Sequence, residues 1–463
     1  MDAEYLEREL GALLGDRRKV NAGTSVRDLH AHDGSLVPPR APDIVVFPEG
    51  TQDVSLLMQF AHAHDVPVTP FGAGTSSAGK TVPLYGGISL DLGRMNAVVA
   101  IHPQDFDVVV QPGVLRKALN RSLADHGVFF PVDPGADASL GGMASTNASG
   151  TTTVRYGGMR RNVLGLEVVL ADGTVVRTGT RAAKSSAGYD MTNLFVGAEG
   201  TLGVITELIL RVHARPEQTV SARLAFGSLR AAARAVASLT GLSAVLSRLE
   251  LLDGPTIAIV NAHFGTGLPE QPTLLAEYGG APAAVAGDLE LAHEVCRELR
   301  SGDIVVERDP TAQARLWDAR HNFGHALAAR HPGKVAIGTD ICVPISRLPE
   351  AIEAGREKIA AAGLEACLVA HAGDGNFHFV VVVDPESVEP VVAQEIYDEM
   401  VEHALSCGGT SAAEHGIGAE KLTYLVREHG DLVPAMHAIK DALDPRCILN
   451  PGKVLDGTER RAA

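Results

Sequence analysis

Three glycine-rich segments, each beside a short β-strand pattern, most constrain the fold of this 463-residue chain. They read "PFGAGTSSAG" (70–79), "VDPGADASLGGMASTNASGTTTVRYG" (132–157) and "GAEGTLGVITE" (197–207). Small side chains let the backbone approach a flat ligand closely, and backbone N–H groups in such loops bind phosphate. Each segment alone is compatible with an ordinary loop, but three of them in one stretch of chain predict a cofactor cleft.

The first segment does not fit a dinucleotide-binding fingerprint of the Rossmann type. Its glycines are spaced G-x-G-x-x-x-x-G, and "KTVPLYGG" places structure-breaking residues where the helix of that fingerprint would begin. Short β patterns alternate with helical patterns over residues 44–213, whereas long alanine-rich helices alternate with strands from about 219 to 445. The sequence therefore predicts an α+β protein with two principal domains.

Composition and charge narrow the functional classes. Hydrophobic residues make up 45% of the chain and charged residues 21%, which is typical of a globular protein with a large core. A net charge of −16 without any Lys/Arg block argues against a nucleic-acid partner. Five scattered cysteines without a C-x-x-C motif argue against an iron–sulfur cluster.

The expected location follows from two further patterns in the sequence. No run approaches the roughly 20 apolar residues of a membrane-spanning helix. The N-terminal "MDAEYLEREL" is acidic and helical in pattern, and it lacks signal-peptide or transit-peptide character. We therefore expect a cytoplasmic protein, with peripheral attachment to a membrane left open.

The stretch "HAGDGNFHF" (371–379) predicts a β-hairpin with one histidine on each strand. Asp-Gly between apolar runs favours a two-residue type I′ turn. With Asp374 and Gly375 at the centre of that turn, His371 would lie opposite His378, and opposed residues share one face of the sheet roughly 5 Å apart. That separation suits two ligands of one metal ion, although two packed histidines fit the pattern equally well.

The glycine-rich segments and five further motifs together resemble the vanillyl-alcohol-oxidase (PCMH-type) flavoenzymes, closest to the group of cytochrome-linked D-lactate dehydrogenase and the glycolate oxidase FAD subunit. The motifs are "RLWDARHN", "DICVPISRLPE", "HAGDGNFH", "AEHGIG" and "LNPGK", in the order that the group shows. The resemblance implies an N-terminal helical segment (1–40) and a PCMH-type FAD-binding domain (41–218). It also implies an α+β FAD-linked oxidase C-terminal domain for substrate and metal (219–445) and a tail that returns to the FAD site (446–463).

The resemblance implies FAD as cofactor, with its pyrophosphate held by Gly72–Ser76 and by the segment 139–152. Val204 and Ile205 would contact the flavin or adenine through their backbone, and Asn450 would close the site. The first loop reads Gly-Thr-Ser-Ser and offers no histidine, so we expect non-covalent FAD. The candidate cofactor residues are Pro70, Gly72, Ala73, Gly74, Thr75, Ser76, Gly79, Pro134, Gly135, Ser139, Gly142, Ala144, Asn147, Gly150, Thr152, Val154, Gly200, Gly203, Val204, Ile205 and Asn450.

The resemblance also implies a divalent-metal triad of His371, His378 and Glu414. Two imidazoles and one carboxylate, with coordination positions left open, suit a catalytic Zn, Mn or Fe site. A cation there would lower the pKa of the hydroxyl group of a 2-hydroxy acid, and His415 is the candidate general base.

Arg320 is the candidate for binding the substrate carboxylate, because a guanidinium group matches a carboxylate in a bidentate way. Arg315 and His321 are alternative candidates for this role. Arg320 could instead be an ordinary surface arginine of a helix, without a role in the site. The members of the group that oxidise D-2-hydroxyglutarate use a further cation for the distal carboxylate. Only Lys334 offers one near "KVAIGTDICVP", so a monocarboxylate such as D-lactate is favoured.

The predicted activity is oxidation of a D-2-hydroxy acid, with D-lactate to pyruvate as the best candidate and a cytochrome, quinone or electron-transfer protein as external acceptor. One alternative is a glycolate oxidase FAD subunit or another D-2-hydroxyacid dehydrogenase. Another is a non-redox transferase on the same fold, like alkylglycerone-phosphate synthase. Bound metal separates the two classes, because the transferase has no use for the triad. A homodimer is left open.

Overall fold

A computed structural model of the chain describes residues 3–299, 302 and 304–456. It divides into two compact units. Unit 1 comprises Met1–Ser149, Gly157–Arg215 and Glu414–Ala463, and unit 2 comprises Gly150–Tyr156 and Pro216–Ala413. The domain limits expected from the sequence differ from these units, since they place 150–156 in the FAD domain and 414–445 in the substrate domain.

The first half of the chain, apart from α6, belongs to unit 1. Its helices and strands in chain order are α1 (Ala3–Leu13), β1 (Val20–Asn21), α2 (Thr24–Leu29), β2 (Ile44–Val46), α3 (Thr51–His64), β3 (Val68–Phe71), β4 (Ile88–Asp91), β5 (Val98–His102), β6 (Asp107–Val110), α4 (Arg116–Leu123), β7 (Val128–Phe129), α5 (Leu140–Ser145), α6 (Thr153–Tyr156), α7 (Met159–Asn162), β8 (Val163–Val169), β9 (Val175–Gly179), α8 (Met191–Phe195), β10 (Val204–Arg211) and β11 (His213–Ala214).

The second half of the chain supplies unit 2 and returns to unit 1 for its last two helices. The elements are β12 (Gln218–Ala225), α9 (Leu229–Leu242), β13 (Leu246–Leu252), α10 (Gly254–Phe264), β14 (Thr273–Gly280), α11 (Pro282–Glu298), β15 (Ile304–Glu307), α12 (Pro310–His321), α13 (Phe323–Arg330), β16 (Val335–Gly338), β17 (Ile341–Cys342), α14 (Leu348–Ala361), β18 (Glu365–His371), β19 (Asn376–Val383), α15 (Glu389–Ser406), α16 (Leu422–His429) and α17 (Val433–Leu443).

Unit 1 contains a four-stranded sheet in the order β1-β2-β4-β3, in which β4 runs parallel to both β2 and β3. Helix α3 covers this sheet because its apolar residues Val54, Leu57, Met58 and Ala61 recur at helical spacing and are fully buried. Residues 72–87 connect β3 to β4 without any helix. This confirms that the first glycine-rich segment does not begin a Rossmann-type helix.

A second, antiparallel sheet of unit 1 has the order β5-β6-β10-β8-β9. Its central strand β10 alternates buried and partly exposed residues beyond Thr206, as expected for a strand with one face on a core. Leu119 and Leu123 of α4 and Met143 of α5 pack into that core. The sheet therefore supports the second and third glycine-rich segments, which border α5 and β10.

Unit 2 is built on an antiparallel sheet in the order β15-β12-β14-β13-β18-β19-β16, with β17 also paired to β19. β18 and β19 form the hairpin predicted from "HAGDGNFHF", and they lie beside β13. Helices α10, α12 and α13 bury Ile257, Trp317 and Phe323 in a common core with residues of β18 and β19. The mixed helices and sheets of both units confirm the α+β class.

The described part of the chain contains no helix that is both long and apolar enough to cross a membrane.

Candidate active site

Unit 1 brings the three glycine-rich segments together. A Cβ atom at Gly72 would overlap the hydroxyl of Ser139, and one at Gly200 would lie 3.0 Å from the ring of Pro70. The third segment is also bonded to the second, because the backbone N–H of Glu199 donates to the carbonyl of Ser145 at 2.8 Å. Glycine is therefore needed where the segments touch.

The exposed part of the first segment consists of small residues next to a buried stretch. Ala73, Gly74 and Thr75 are exposed, whereas the residues from Ala78 to Lys80 are buried. Gly74 has a φ of +68°, a conformation that favours glycine. The segment thus presents backbone and small side chains on a buried base, as a pyrophosphate requires.

The C-terminal tail closes on the same region of unit 1. The side-chain amide of Asn450 donates to the carbonyl of Glu199 at 2.7 Å and to that of Lys80 at 3.1 Å. Val204 and Ile205, at the start of β10, are buried. Asn450 thus joins the third segment to Lys80, the residue that directly follows the first segment.

A buried carboxylate fixes the loop that carries Glu414 and His415. Glu199 accepts hydrogen bonds from the backbone N–H groups of Ile417 (2.7 Å) and Gly418 (2.8 Å). Burial raises the pKa of Glu199 above its usual range, and the charge of Lys80 opposes that shift. The side chain of Glu199 therefore anchors the loop. Within the loop, Nε2 of His415 lies 3.4 Å from a carboxylate oxygen of Glu414.

Lys453, in the same tail, is buried in unit 1. Its ammonium group donates to the carbonyl of Val82 at 2.6 Å and to Oδ1 of Asn450 at 3.0 Å. Burial lowers its pKa to about 7, although Asp33 and Glu199 act in the opposite direction. The lysine therefore loses its proton in the folded chain at a pH where the unfolded chain still holds it.

Exchange of this lysine should change the pH dependence of stability. Between pH 7 and about 10 the unfolded state binds more protons at Lys453 than the folded state, so its contribution to the free energy of unfolding rises with pH. We expect the difference in free energy of unfolding, wild type minus Lys453→Met, to grow from pH 7 to pH 9 in denaturant titrations. Parallel pH profiles of the two proteins would contradict this assignment.

The register of the unit 2 hairpin corrects the sequence prediction. His371 lies opposite Asn376, and His378 lies opposite Val369, so the two histidines are not directly opposed. The chain reverses through a 3-10 turn at Ala372–Asp374 followed by Gly375 at a φ of +79°, not through a two-residue type I′ turn. The loop therefore comprises the four residues 372–375, whereas the expected turn comprised only Asp374 and Gly375.

The corrected register still places both histidines on one face of the sheet. Val369 and His371 share a face, so His378 is the diagonal neighbour of His371. The ring centroids are 5.7 Å apart at an interplanar angle of 87°, and ring nitrogens of the two residues lie within 4.8 Å of each other. Two imidazoles at this separation can bind one divalent cation.

Hydrogen bonds at Nδ1 determine which nitrogen of each ring can bind a metal. Nδ1 of His378 lies 2.6 Å from the carbonyl oxygen of Thr339, which can only accept a hydrogen bond. Nδ1 of His371 lies 2.8 Å from a carboxylate oxygen of Glu250. Both rings therefore carry their proton on Nδ1 and a lone pair on Nε2, the arrangement typical of metal-binding histidines.

Glu250 also binds Arg320, the residue expected to hold the substrate carboxylate. Oε2 of Glu250 lies 2.5 Å from Nη2 of Arg320, and the Glu250 side chain is fully buried. Burial raises the pKa of Glu250, but the interactions with His371 and Arg320, including a hydrogen bond from each, more than reverse that effect and leave its pKa below the usual range. Glu250 is therefore ionised, and Arg320 is a partly buried residue of the unit 2 interior rather than a surface arginine.

The alternatives to Arg320 are placed less favourably. Arg315 is exposed, and Lys334 is exposed before β16. Nδ1 of His321 donates to the carbonyl of Trp317, which caps the end of α12. Arg320 remains the best candidate in this part of unit 2, since its Nε is buried and has no hydrogen-bond partner among the described residues.

Sequence reasoning missed Glu250 and Asp340. A carboxylate oxygen of Asp340, which is fully buried, lies within 4.8 Å of a ring nitrogen of His378. Asp340 lies in "GTDICVP", directly before β17, where a buried acid beside a histidine is a signal for a metal site. Glu250 lies in "LSRLELL", a strand pattern that gives no such signal.

The segment 150–156, part of the second glycine-rich segment, belongs to unit 2. Arg155 donates to the carbonyl of Val245 and the hydroxyl of Ser247, both at 3.0 Å, and to the carbonyl of Gly279. A Cβ atom at Gly373 of the hairpin would lie 2.6 Å from the side chain of Val154. Candidate cofactor residues Gly150, Thr152 and Val154 are therefore carried by the unit that holds the histidine pair.

Comparison with protein families covers most of the chain. Residues 42–179 match the family described as "FAD binding domain", and residues 215–454 match "FAD linked oxidases, C-terminal domain". The chain therefore carries an FAD-binding domain.

Curated relatives are similar over almost the whole chain. The "Probable D-lactate dehydrogenase, mitochondrial" of Danio rerio is 43% identical over 95% of this chain and 90% of its own length. The "D-lactate dehydrogenase [cytochrome], mitochondrial" of Arabidopsis thaliana is 42% identical over 89% of this chain and 73% of its own. The "Glycolate oxidase subunit GlcD" of Bacillus subtilis is 34% identical over 95% of this chain and 94% of its own.

Solved structures confirm the fold. p-Cresol methylhydroxylase superimposes with a TM-score of 0.79 at 18% identity, covering 98% of this chain and 97% of that one. Alkyldihydroxyacetonephosphate synthase gives a TM-score of 0.76 at 18% identity, covering 97% and 84%. At this identity the likeness concerns the fold alone. Together with the matched domains and the relatives above 40% identity, it shows that this chain belongs to the family of FAD-linked oxidases with a PCMH-type fold.

Proposed function

We propose that the chain is an FAD-dependent dehydrogenase that oxidises a D-2-hydroxy acid, with D-lactate as the first candidate substrate. The observation that carries this proposal is the pair of imidazoles of His371 and His378, each with Nδ1 bonded so that Nε2 can bind a cation. The pair occurs in a chain that is 35–43% identical to three proteins named D-lactate dehydrogenase. Such a donor pair suits oxidation of an alcohol, in which a cation makes the hydroxyl group more acidic.

The cofactor is FAD, and we propose that it is bound without a covalent bond. The first glycine-rich segment contains only small and hydroxyl side chains from Gly72 to Ser77, so it offers no imidazole to the flavin. Bound FAD supplies the acceptor for the hydride that leaves C2 of the substrate.

We propose His371 and His378 as metal ligands of unit 2, and from the sequence motif "AEHGIG" we propose Glu414 as the third ligand. The donor set of two imidazoles and a carboxylate favours Mn, Zn or Fe over Ca or Mg. These residues would hold a cation that would lower the pKa of the substrate hydroxyl group. Asp340 is a second acidic candidate, because it lies beside His378 and is buried.

Two further residues have proposed roles in the reaction. His415 would accept the hydroxyl proton as general base, since a neutral imidazole offers a lone pair for it. Arg320 would bind the substrate carboxylate through guanidinium N–H groups other than the one that contacts Glu250.

The alternatives differ in substrate or in reaction class. The similarity to Bacillus subtilis GlcD keeps glycolate, a shorter 2-hydroxy acid, as second candidate substrate. A transferase like alkyldihydroxyacetonephosphate synthase is supported by the fold alone, at 18% identity. The dehydrogenase is favoured because the histidine pair, Glu250 and Arg320 together suit a hydroxy acid.

The acceptor, the location and the oligomeric state remain predictions. The relatives from yeast and Arabidopsis are named D-lactate dehydrogenase [cytochrome], which supports an external acceptor of that kind for this chain. Those names also contain the word mitochondrial, whereas we predicted a cytoplasmic location. A homodimer remains a prediction.

Anaerobic stopped-flow measurement of flavin bleaching tests the proposed function. We expect D-lactate to reduce the bound flavin, L-lactate to reduce it at least a hundredfold more slowly, and acid precipitation to leave FAD in the supernatant. Metal analysis of the same preparation should give one Mn, Zn or Fe per chain. A yellow protein that no D-2-hydroxy acid reduces would reject the dehydrogenase and favour the transferase, and flavin that precipitates with the chain would reject non-covalent binding.

A further inference from the structure

Glu250 of β13 contacts both the histidine hairpin and helix α12. Strand β13 pairs with β18 so that Leu251 lies opposite Ala370. The same register continued by one residue sets Glu250 opposite His371, on the same face of the sheet. The carboxylate then lies 2.8 Å from Nδ1 of His371 through Oε1 and 2.5 Å from Nη2 of Arg320 through Oε2.

Each oxygen of this carboxylate therefore has its own partner, and no water reaches the side chain, which has an exposed fraction of 0%. A buried charge of this kind is costly unless its partners remain in place. The geometry thus ties the orientation of the imidazole to the position of the guanidinium group, because displacement of either partner leaves one carboxylate oxygen buried without its partner.

We propose that Glu250 is a positioning residue that orients His371 for metal binding and Arg320 for the substrate carboxylate at the same time. The inference rests on the proposed function, since it takes His371 as a metal ligand and Arg320 as a substrate-binding residue. Glu250 keeps the proton of His371 on Nδ1 and so directs the lone pair of Nε2 to the metal. It holds Nη2 of Arg320 and leaves the other N–H groups of the guanidinium for the substrate.

If Glu250 couples His371 to Arg320, a change at Arg320 should also affect metal binding by His371. If one carboxylate positions both partners, removal of Arg320 leaves Glu250 with a single partner and disturbs His371. Arg320→Met should then weaken metal binding in the absence of substrate, although Arg320 is not a metal ligand.

The test uses the full-length protein with FAD bound, stripped of metal by a chelator and titrated with Mn²⁺ or Zn²⁺ alone. Glu250→Gln keeps the size of the side chain but removes its charge, and we expect a loss of about 10- to 100-fold in metal affinity. The KM for D-lactate of the metal-loaded variant should rise several-fold as well. Glu250→Asp, which keeps the charge, should recover part of the metal affinity that Glu250→Gln loses.

Asp253→Asn is the matched control. Asp253 is also a buried carboxylate paired with an arginine of unit 2, Arg356, but it contacts neither His371 nor Arg320. Asparagine can still cap α10, where Asp253 accepts a hydrogen bond from Thr256. We expect Asp253→Asn to lower thermal stability while the metal affinity and KM stay within twofold of wild type.

The outcomes separate this inference from the proposed function. Glu250→Gln with wild-type metal affinity and KM, in a wild type that binds metal and is reduced by D-lactate, would overturn the positioning role alone. Equal losses of metal affinity in Glu250→Gln and Asp253→Asn would overturn it too, because a general structural effect would then explain both. A wild type that is reduced by D-lactate without binding metal would overturn both the inference and the proposed metal site.

Discussion

Replacement of His378 or His371 by alanine is expected to lower the rate of flavin reduction by D-lactate by about a thousandfold or more while FAD stays bound. Each variant removes one imidazole of the pair, so metal content should fall and the substrate hydroxyl should keep its ordinary, very high pKa. A loss of several kcal/mol of transition-state stabilisation corresponds to that factor in rate. FAD should remain because the first and third glycine-rich segments lie in unit 1 and both histidines lie in unit 2.

The measurement compares metal content, FAD content and the rate of flavin bleaching in each variant. His263→Ala is a suitable control, because His263 is an exposed histidine at the end of α10 in the same unit. A chelator should reproduce the effect in the wild type, and added Mn²⁺ or Zn²⁺ should restore the wild type but neither variant. A His378→Ala enzyme that keeps its metal and is reduced at the wild-type rate would leave the two histidines as a packed pair without a metal.

His415→Ala should give a different pattern, with metal and FAD both retained and flavin reduction slowed by about 10²- to 10⁴-fold. The reason is that a general base acts only on the hydroxyl proton, whereas the cofactors are held by other residues. His415 is also suitably exposed for this role, with 42% of its side chain accessible.

The control and the readout are specific to proton transfer. His429→Ala removes another partly exposed histidine of unit 1, with 38% of its side chain accessible, and should leave the rate of flavin reduction unchanged. Added imidazole should restore part of the activity of His415→Ala, because it can occupy the vacated space and accept the proton. Loss of metal from His415→Ala would instead make His415 a ligand, and a wild-type rate would remove it from the mechanism.

The sequence was sufficient to predict the features that depend on local patterns. The three glycine-rich segments indicated a cofactor cleft because small residues beside strands have few other uses. Unit 1 does bring Gly72 next to Ser139 and Gly200 next to Pro70. The hairpin was predicted from Asp-Gly between β-branched runs, and β18 and β19 form it.

Register and long-range pairing could not be predicted in the same way. The turn uses a 3-10 conformation before Gly375, and that choice moved His378 from a position opposite His371 to a diagonal one. Glu250 is separated from His371 by 121 residues in sequence, and only the pairing of β13 with β18 brings them together. A single glutamate in an apolar strand carries no local sign of that contact.

The path of the chain between the two units makes either unit hard to produce by itself. The chain changes unit four times, at 149/150, 156/157, 215/216 and 413/414. A fragment limited to 216–413 would lack Arg155, and the carbonyls of Val245 and Gly279 would lose their guanidinium partner. Residues 150–156, which include Arg155, also contain three of the candidate cofactor residues. Unfolding of unit 2 would therefore release this part of the second glycine-rich segment. Dissociation of FAD on heating would then report the unfolding of a unit that lies mostly outside the FAD-binding domain.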